Sequence, residues 1–355
     1  MSRTYLDHAA TTPILPEAQA AMVEAMARWA NPSSPHADGR AARAALEEAR
    51  GTIANALGWR HDVILTSGTS EAIAIVATRA KVARRIVGAT EHEVVPYAMG
   101  PDAIRLPVGP DGLVDLAVLD VALADCPALV ALQAVNNETG VLQPRREIGD
   151  RIRAAGSLWL CDAAQAAGKI DLPQADFIAV SAHKLGGPPG VGALLVRDLA
   201  TLAPSGGQEK GYRRGTQDLP SAAGFAAALA SGAARDAMPR LVALRAHLDQ
   251  AIRALGGTVI ADATPRLAAI ASYALHGASS ASLLVQLDLA GFSVSAGSAC
   301  SSGSMKSSRV LDAMRVPADL AAAAIRVSFG PSTSQAEVDA FLAAFTAIAH
   351  RRRAT

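Results

Sequence analysis

The chain has little cysteine, little lysine and few aromatic side chains for its 355 residues. Its three cysteines, Cys126, Cys161 and Cys300, are too few and too odd in number for a disulfide framework. This scarcity favours a reducing compartment, and we expect a cytoplasmic protein. Because only five of the 33 basic residues are lysines, each lysine can be considered individually.

The sequence also has no large excess of positive or negative charge. The sequence has 33 Lys and Arg against 32 Asp and Glu, a net charge of +1, which argues against a nucleic-acid-binding protein with a basic surface. No apolar run approaches the roughly 18 residues that a membrane span needs. The N-terminus lacks the apolar core of a signal peptide. We therefore expect neither a membrane partner nor direct contact with nucleic acid.

Hydrophobic residues make up 50% of the chain, enough to form a large core. After two predicted helices, 16–29 and 39–57, short apolar runs alternate with Ala- and Arg-rich segments. The runs predict strands at 62–67, 85–88, 128–135, 158–161, 177–181 and 192–196. Helices are predicted between several of them, at 70–83, 116–124 and 146–155. This alternation predicts a mostly parallel sheet covered on both faces.

A Gly-rich loop at 205–211 interrupts this pattern. Helices are predicted after it at 220–234, 239–255, 282–290 and 335–350. Short strands are predicted among them at 258–261, 292–295 and 325–329. Strands mixed with helices after a long helix predict a second, smaller α+β domain from about residue 238.

Three polar groups each follow a predicted strand. Residues 67–71 (Ser-Gly-Thr-Ser-Glu) open a helix, whose free N–H groups and dipole suit a phosphate, although an ordinary helix cap also explains this segment alone. Asp162 ends a strand where α/β proteins bind ligands, and a helix cap is an equally good interpretation. Lys184 precedes a Gly/Pro turn that ends the strand, so we expect its side chain at the same edge of the sheet.

An amine, a carboxylate and a phosphate site are together what pyridoxal 5'-phosphate (PLP) requires. The lysine amine forms a Schiff base, and the carboxylate keeps the pyridine nitrogen protonated so that the ring is an electron sink. His92, after the predicted strand 85–88, is a candidate for stacking on the ring. A surface histidine is the alternative interpretation of His92 alone, and the combination of residues outweighs it. No metal site is predicted.

Cys300 lies in a run of small residues, SAGSACSSG, that offers no apolar packing partners. A cysteine on such a loop suits a nucleophile that a substrate or partner must approach. Cys161 and Cys126 are expected to be structural. Two interpretations of Arg326, in a predicted strand, stay open: it forks onto a substrate carboxylate, or it lies on an exposed face of the sheet.

Nine segments, in this order, resemble the cysteine desulfurases, class-V aminotransferases among the fold-type-I PLP-dependent transferases. They are YLDHAATTP (5–13), NPSSPH (31–36), TSGTSE (66–71), EH (91–92), VNNETG (135–140), CDAAQ (161–165), SAHK (181–184), GGQEKGYRRGT (206–216) and SAGSAC (295–300). The resemblance covers nearly the whole chain. It implies an α/β fold with a mostly parallel seven-stranded sheet in a large PLP-binding domain, 12–237. A smaller α+β domain, 1–11 and 238–355, would carry the cysteine loop.

The resemblance also implies the roles of the site residues. Lys184 forms the Schiff base, Asp162 pairs with the pyridine nitrogen, and His92 stacks on the ring and handles protons. Gln165 and Asn137 hydrogen-bond the ring oxygen. The side chains that hold the phosphate are those of Thr69, Ser70, Ser181 and His183.

Four residues link this site to its substrate and to a second subunit. By the same resemblance, Arg326 binds the substrate carboxylate, Asn137 also approaches the substrate, and Cys300 takes the sulfur. Thr216 matches a threonine that reaches the phosphate of the neighbouring subunit, which implies a homodimer with shared active sites. The phosphate segment 69–72 reads Thr-Ser-Glu-Ala where the family usually has Ala-Thr-Glu-Ser, and its serine keeps the hydroxyl.

The implied activity is conversion of L-cysteine to L-alanine, with sulfur held as a persulfide on Cys300. A protein acceptor would then take the sulfur for iron–sulfur cluster assembly or tRNA thiolation. A selenocysteine lyase or a small-substrate aminotransferase of the same family is the alternative enzyme. From another class, the chain would be a non-catalytic assembly factor that retains the fold.

Overall fold

A computed structural model describes residues 3–296 and 308–353 of the chain. Its strands, numbered along the chain, are β1 (Thr4–Tyr5), β2 (Asp62–Thr66), β3 (Arg84–Gly88), β4 (Ile104–Leu106), β5 (Ala128–Ala131), β6 (Leu158–Asp162), β7 (Phe177–Ser181), β8 (Gly192–Val196), β9 (Thr258–Val259), β10 (Ile270–Ala274), β11 (Phe292–Ser293), β12 (Ser295–Ala296) and β13 (Ala324–Ser328). Its α-helices are α1 (Pro16–Met26), α2 (Ala37–Ala56), α3 (Thr69–Arg79), α4 (Val94–Met99), α5 (Leu116–Leu123), α6 (Arg145–Ala154), α7 (Leu219–Ala230), α8 (Ala233–Asp236), α9 (Met238–Ala254), α10 (Ser280–Leu289), α11 (Arg309–Ala313), α12 (Ala318–Ala323) and α13 (Gln335–Arg353).

The largest sheet has seven strands in the order β2-β8-β7-β6-β5-β3-β4. Strand β8 runs antiparallel to both of its neighbours, and the pairs from β7 through β4 are parallel. The predicted α/β fold with a mostly parallel seven-stranded sheet is therefore confirmed. Because the parallel strands point the same way, their carboxyl ends and the loops that follow meet at one edge.

The strands of this sheet are apolar on both faces. Every residue of β5, β7 and β8 is buried. Ile64 and Leu194 belong to a core layer with the buried side chains of α3, whereas Val63 and Leu195 belong to the layer that contains α1, α2 and α7. Helices on both faces explain why these strands have continuous hydrophobic runs rather than an alternating pattern.

A second sheet is four-stranded and antiparallel, in the order β12-β13-β10-β9. The N-terminal segment joins this part of the molecule, because β1 pairs in parallel with β11 and the Ser328 N–H donates to the Leu6 carbonyl at 2.8 Å. The division into a domain of residues 12–237 and one of residues 1–11 and 238–355 stays a prediction. No helix among the described residues is long and apolar enough to cross a membrane.

Several predicted elements differ from the observed ones. The predicted helix 220–234 is two helices, because Gly232 adopts a left-handed φ of 68° between α7 and α8. The predicted strand 128–135 ends at Ala131, and the chain then enters the site loops. Strand β10 was missed because all five of its residues are buried in an Ala-rich stretch, so it has no alternating pattern. Strand β4 and helices α4, α11 and α12 are short and were also missed.

A buried ion pair fixes the Gly-rich loop that precedes α7. The Glu209 carboxylate accepts two hydrogen bonds from Arg50 of α2, at 2.6 and 3.0 Å. It also accepts from the backbone N–H of Leu65 in β2 at 2.7 Å and from the Gln217 side chain at 2.9 Å. Burial alone would raise the pKa of Glu209, but these hydrogen bonds and the Arg50 charge lower it. The carboxylate is therefore a fixed anchor for the loop.

We predict that Glu209→Gln lowers the free energy of unfolding by about 3 kcal/mol at pH 7, because it leaves the buried Arg50 without its charge partner. Urea denaturation measures this. Glu47→Gln is the matched control, since Glu47 contacts the same guanidinium at 3.1 Å from a largely exposed position, and it should cost about 1 kcal/mol or less.

The difference between wild type and Glu209→Gln should also depend on pH. A carboxyl whose pKa is lowered in the folded state stabilises the protein above its unfolded pKa, and this contribution is lost as the pH falls through the folded pKa. The difference in the free energy of unfolding between wild type and Glu209→Gln should therefore become smaller at acidic pH. If Glu209→Gln and Glu47→Gln lowered the free energy of unfolding equally at pH 7, the claim that Glu209 anchors the loop would be contradicted.

Candidate active site

A cavity of about 690 Å³ lies at the edge where the parallel strands end. Ten of the twelve predicted site residues line it, one does not, and one lies outside the described residues. The ten are Thr69, Ser70, His92, Asn137, Asp162, Gln165, Ser181, His183, Lys184 and Arg326. They come from six different loops or strands, so the fold brings together residues that are distant in sequence.

Lys184 lies in a short 3₁₀ turn, Ala182–Lys184, directly after β7. Its Nζ donates to the carbonyl oxygens of Ala9 and Ala10, at 2.8 and 2.7 Å. The Thr12 hydroxyl donates to the Lys184 carbonyl at 3.3 Å. The N-terminal segment thus holds both ends of this lysine, and its amine lines the cavity.

Asp162 is the last residue of β6, and its carboxylate faces the same cavity. Its Oδ1 accepts from the backbone N–H of Ala164 at 2.9 Å. Burial raises the pKa of Asp162, whereas this hydrogen bond and the charges of His92 and Lys184 oppose the rise. A cation opposite the carboxylate, such as a protonated ring nitrogen, would favour its ionised form.

The N-terminus of α3 offers a site for an anion. Thr69 is the first residue of this helix, and its buried hydroxyl oxygen has no hydrogen-bond partner among the described residues. The chain comes close to Ser181 here: a Cβ added to Gly68 would lie 3.5 Å from the Ser181 hydroxyl. Free N–H groups, the helix dipole and an unpartnered hydroxyl together suit a phosphate.

His183 lines the same cavity as the α3 N-terminus. Burial, together with the charges of Lys184 and Lys169, lowers the pKa of His183 to about 4. Its imidazole is therefore neutral at pH 7, and its Nδ1 lies 3.2 Å from the Thr11 hydroxyl oxygen. A neutral ring of this kind contacts a phosphate by hydrogen bonding rather than by charge.

Two further predicted residues contact the cavity from its walls. Gln165 donates to the Ala9 carbonyl at 2.9 Å, and its own side-chain oxygen is buried with no hydrogen-bond partner in the part of the chain that the structure describes. His92 precedes α4, and its Nδ1 accepts from the Val94 N–H at 3.4 Å. The unpartnered oxygens of Gln165 and Thr69, with an amine and a carboxylate in the same cavity, fit a cofactor that carries a phosphate, a ring nitrogen and an amine-reactive carbon.

Arg326 lies in β13 and is only 4% exposed. Its Nη1 donates to the Asn137 carbonyl at 3.1 Å, and its Nη2 donates to Asp7 Oδ1 at 2.8 Å. Since the side chain lines the cavity, the interpretation that it lies on an exposed sheet face is wrong. Asn137 reaches the site beside it, from the loop that follows β5.

Comparison with known proteins gives the family. The family model for class-V aminotransferases matches residues 4–341. A cysteine desulfurase of Cereibacter sphaeroides is 37% identical over 380 residues, which cover 100% of this chain and 97% of that protein. The IscS-like cysteine desulfurase of Mycobacterium tuberculosis is 38% identical, over 99% of this chain and 97% of that one. This chain belongs to the class-V aminotransferase family.

The solved structures agree with this assignment. The X-ray structure of a NifS-like protein from Rickettsia africae is 29% identical and has a TM-score of 0.90, over 98% of this chain and 99% of that chain. Class-V aminotransferases are PLP-dependent, and the cavity described above contains the groups that such a cofactor needs. Within the described residues, no cluster of three or more potential metal ligands occurs.

The structure describes three of the four remaining predicted residues. Thr216 is exposed, in the loop before α7, and does not line the cavity. Cys300 lies outside the described residues. Cys161 is buried in β6, as predicted. The prediction that Cys126 is structural is wrong, because it is exposed in the turn between α5 and β5.

Sequence reasoning missed three charged residues that contact or adjoin the site. Asp7 pairs with Arg326 across 319 positions of the chain, so no local pattern indicates the contact. Lys169 is buried beside Lys184 in a small cavity, and burial followed by the Lys184 charge lowers the pKa of Lys169 to about 7. The third residue, Glu138, was visible only as part of the VNNETG motif.

Glu138 is a buried carboxyl at the border of the site. Its Oε2 accepts from the Ser308 hydroxyl at 2.5 Å, and that hydroxyl also accepts the Leu311 N–H at the start of α11. Burial raises the pKa of Glu138 to about 7, although the Ser308 hydrogen bond and the charges of Arg326 and Arg309 oppose the shift. The carboxyl of Glu138 therefore stays partly protonated near neutral pH.

We predict that Glu138→Gln stabilises the chain at pH 8 by roughly 1–3 kcal/mol and leaves its stability nearly unchanged at pH 5. A raised carboxyl pKa means that stability falls as the pH rises from the unfolded pKa toward 7, and a neutral amide removes this cost. Chemical denaturation at the two pH values measures the difference. Glu147→Gln, at an exposed position on α6, is the control and should show no such difference in stability between the two pH values. A gain in stability from Glu138→Gln that is equal at pH 5 and pH 8 would count against a raised pKa of Glu138.

Proposed function

We propose that this chain is a PLP-dependent cysteine desulfurase, which converts L-cysteine to L-alanine and passes the sulfur to an acceptor through a persulfide on Cys300. The observation that carries the proposal is the meeting of Lys184, Asp162 and Arg326 with the α3 N-terminus around one cavity. The relatives named cysteine desulfurase support the choice of substrate.

Each end of the cofactor would have its own set of residues. When bound, PLP supplies an electron sink for the electron pair left at the substrate Cα. Lys184 would hold it covalently, Asp162 would face the ring nitrogen, and His92 would stack on the ring. Gln165 and Asn137 would bind the ring oxygen. The phosphate would be bound by Thr69, Ser70, Ser181 and His183.

Proton transfer in this reaction belongs to Lys184 or His92. The Lys184 amine donates to the carbonyl oxygens of Ala9 and Ala10, which hold it at the cavity wall. The amine can form these two hydrogen bonds again after the reaction. Once it is released by the substrate amine, it would take the Cα proton, and His92 would serve the same step from the loop after β3. A lysine and a histidine on one cavity provide a base and an acid for a proton shift.

Sulfur transfer requires a nucleophile, and we assign it to Cys300. Its thiolate attacks the sulfur of L-cysteine, the substrate Cβ–S bond breaks, and Cβ takes a proton. The products are L-alanine and a persulfide on Cys300, so the atoms and electrons balance without an external oxidant or reductant. Arg326 would bind the substrate carboxylate from its buried position in β13, with Asn137 beside it.

We also propose a homodimer with shared sites, in which Thr216 of one copy reaches the phosphate of the other. Its support is the exposed position of Thr216 outside the cavity of its own chain. A protein acceptor, a role in iron–sulfur cluster assembly or tRNA thiolation, and a cytoplasmic location stay predictions. A selenocysteine lyase, an aminotransferase and a non-catalytic assembly factor are the alternatives, and the experiments below distinguish the last two from a desulfurase.

We predict that Lys184→Ala abolishes sulfide release from L-cysteine and covalent trapping of PLP by borohydride, because the variant lacks the amine that holds the cofactor. Absorbance and mass spectrometry of the trapped protein measure the loss. Lys81→Ala is the control, since Lys81 is exposed, and it should behave as wild type. Undiminished covalent PLP in Lys184→Ala would refute the assignment, and wild-type chain that binds no PLP would favour the non-catalytic alternative.

We predict that Cys300→Ala keeps the PLP absorbance but releases essentially no sulfide and forms no persulfide detectable by mass spectrometry. The reason is that the thiolate is the nucleophile of the sulfur-transfer step. Cys126→Ala, which removes an exposed cysteine, is the control and should retain activity. An aminotransferase would instead keep full turnover of an amino acid with a keto acid in Cys300→Ala, and sulfide release at the wild-type rate would overturn the mechanism.

A further inference from the structure

The guanidinium of Arg326 already has a carboxylate partner within the chain. Asp7 Oδ1 accepts from its Nη2 at 2.8 Å, and the two side chains are 17% and 5% exposed. Asp7 also lines the cavity. A substrate carboxylate that reaches Arg326 would therefore share the guanidinium with a second negative charge.

The same guanidinium has unused capacity for hydrogen bonding. Its Nη1 donates to the Asn137 carbonyl and its Nη2 to Asp7, but its Nε is buried and has no hydrogen-bond partner in the part of the chain that the structure describes. Leaving a buried donor unpaired is unfavourable. An arginine has five N–H groups, so a ligand carboxylate can bind to Arg326 without displacing Asp7.

Asp7 is itself held in place. Its Oδ2 accepts from the Ser295 hydroxyl at 2.7 Å, and Ser295 is the residue of β12 that pairs with Arg326 of β13. The backbone of Asp7 forms a bridge with Ser328, and its carbonyl accepts from the Tyr5 hydroxyl at 3.2 Å. With its side chain and backbone both bound, Asp7 stays beside Arg326 when a ligand enters.

We propose that Asp7 is a specificity-determining residue that shares Arg326 with the ligand and weakens the binding of carboxylates to the site. This inference rests on the proposed function, which assigns the substrate carboxylate to Arg326. Like charges on one guanidinium repel each other, and the repulsion is strong in a buried site because little water screens it. Asp7 orients the arginine and at the same time offsets part of its charge.

The other ionisable groups near Arg326 do not account for the weakened binding of carboxylates. Glu138 is affected by the charge of Arg326, but within the described residues its carboxyl accepts a hydrogen bond from Ser308 and forms no ion pair with the guanidinium. Tyr5 is affected by the charges of both Asp7 and Arg326, and burial raises the pKa of its phenol, so it is neutral at pH 7. Asp7 is the carboxylate that contacts Arg326 among the described residues.

The test uses PLP-loaded protein and two ligands that differ only in the carboxylate. L-Alanine is the product of the proposed reaction, and L-alaninamide has a neutral amide in place of its carboxylate. Asp7→Asn removes the charge but keeps an oxygen that can accept from Arg326 Nη2. We expect the dissociation constant for L-alanine to fall at least five-fold, which equals about 1 kcal/mol, and that for L-alaninamide to stay within two-fold. Cofactor absorbance measures both.

Asp319→Asn, which removes an exposed charge on α12, is the control and should change neither constant. Asp7→Ser removes the same charge with a smaller side chain, and the same gain in L-alanine affinity is expected, so the test does not depend on one variant folding. Unchanged or weaker L-alanine binding in the Asp7 variants would overturn the proposal. Wild-type protein that binds L-alanine but releases no sulfide from L-cysteine would instead contradict the proposed function and leave the Asp7 comparison intact.

Discussion

The carboxylate of Asp162 ends a buried strand, and a carboxylate in that position needs a positive group nearby to stay ionised. Burial raises its pKa, and the charges that oppose the rise come from His92 and Lys184. These residues follow β3 and β7, which are neighbours or near neighbours of β6 in the sheet. The parallel arrangement therefore places the carboxylate, its cations and the α3 N-terminus around one cavity. A cofactor with a protonated ring nitrogen and a phosphate would pair the nitrogen with the carboxylate and the phosphate with the α3 N-terminus.

The N-terminal segment connects this edge to the second sheet. The carbonyls of Ala9 and Ala10 hold the amine of Lys184, and the Ala9 carbonyl also accepts from Gln165. Two residues earlier, Asp7 pairs with Arg326 of β13. Within four positions of the chain, Ala9 and Ala10 thus contact the lysine expected to bind the cofactor and Asp7 contacts the arginine expected to bind the substrate. The geometry of the two groups relative to each other depends on this segment.

The sequence predicts the sheet well because its physical signal is local. Strands 177–181 and 192–196 are uninterrupted apolar runs, and both are observed with those bounds. The site residues Lys184 and Asp162 could be found because each follows such a run. The pairing of Asp7 with Arg326 could not be found in this way, since it joins residues 319 positions apart. Cys126 was wrongly predicted to be structural because apolar residues surround it in sequence, while the turn that contains it faces solvent.

In the reaction that we propose, one cavity cleaves the C–S bond of L-cysteine and keeps the carbon skeleton as an amino acid. Product analysis of the PLP-loaded wild-type protein tests it most directly, with L-cysteine as the only amino acid and a thiol reductant as sulfur acceptor. We expect L-alanine and sulfide to form in a one-to-one ratio. Formation of a keto acid without sulfide, or of neither product, would contradict it.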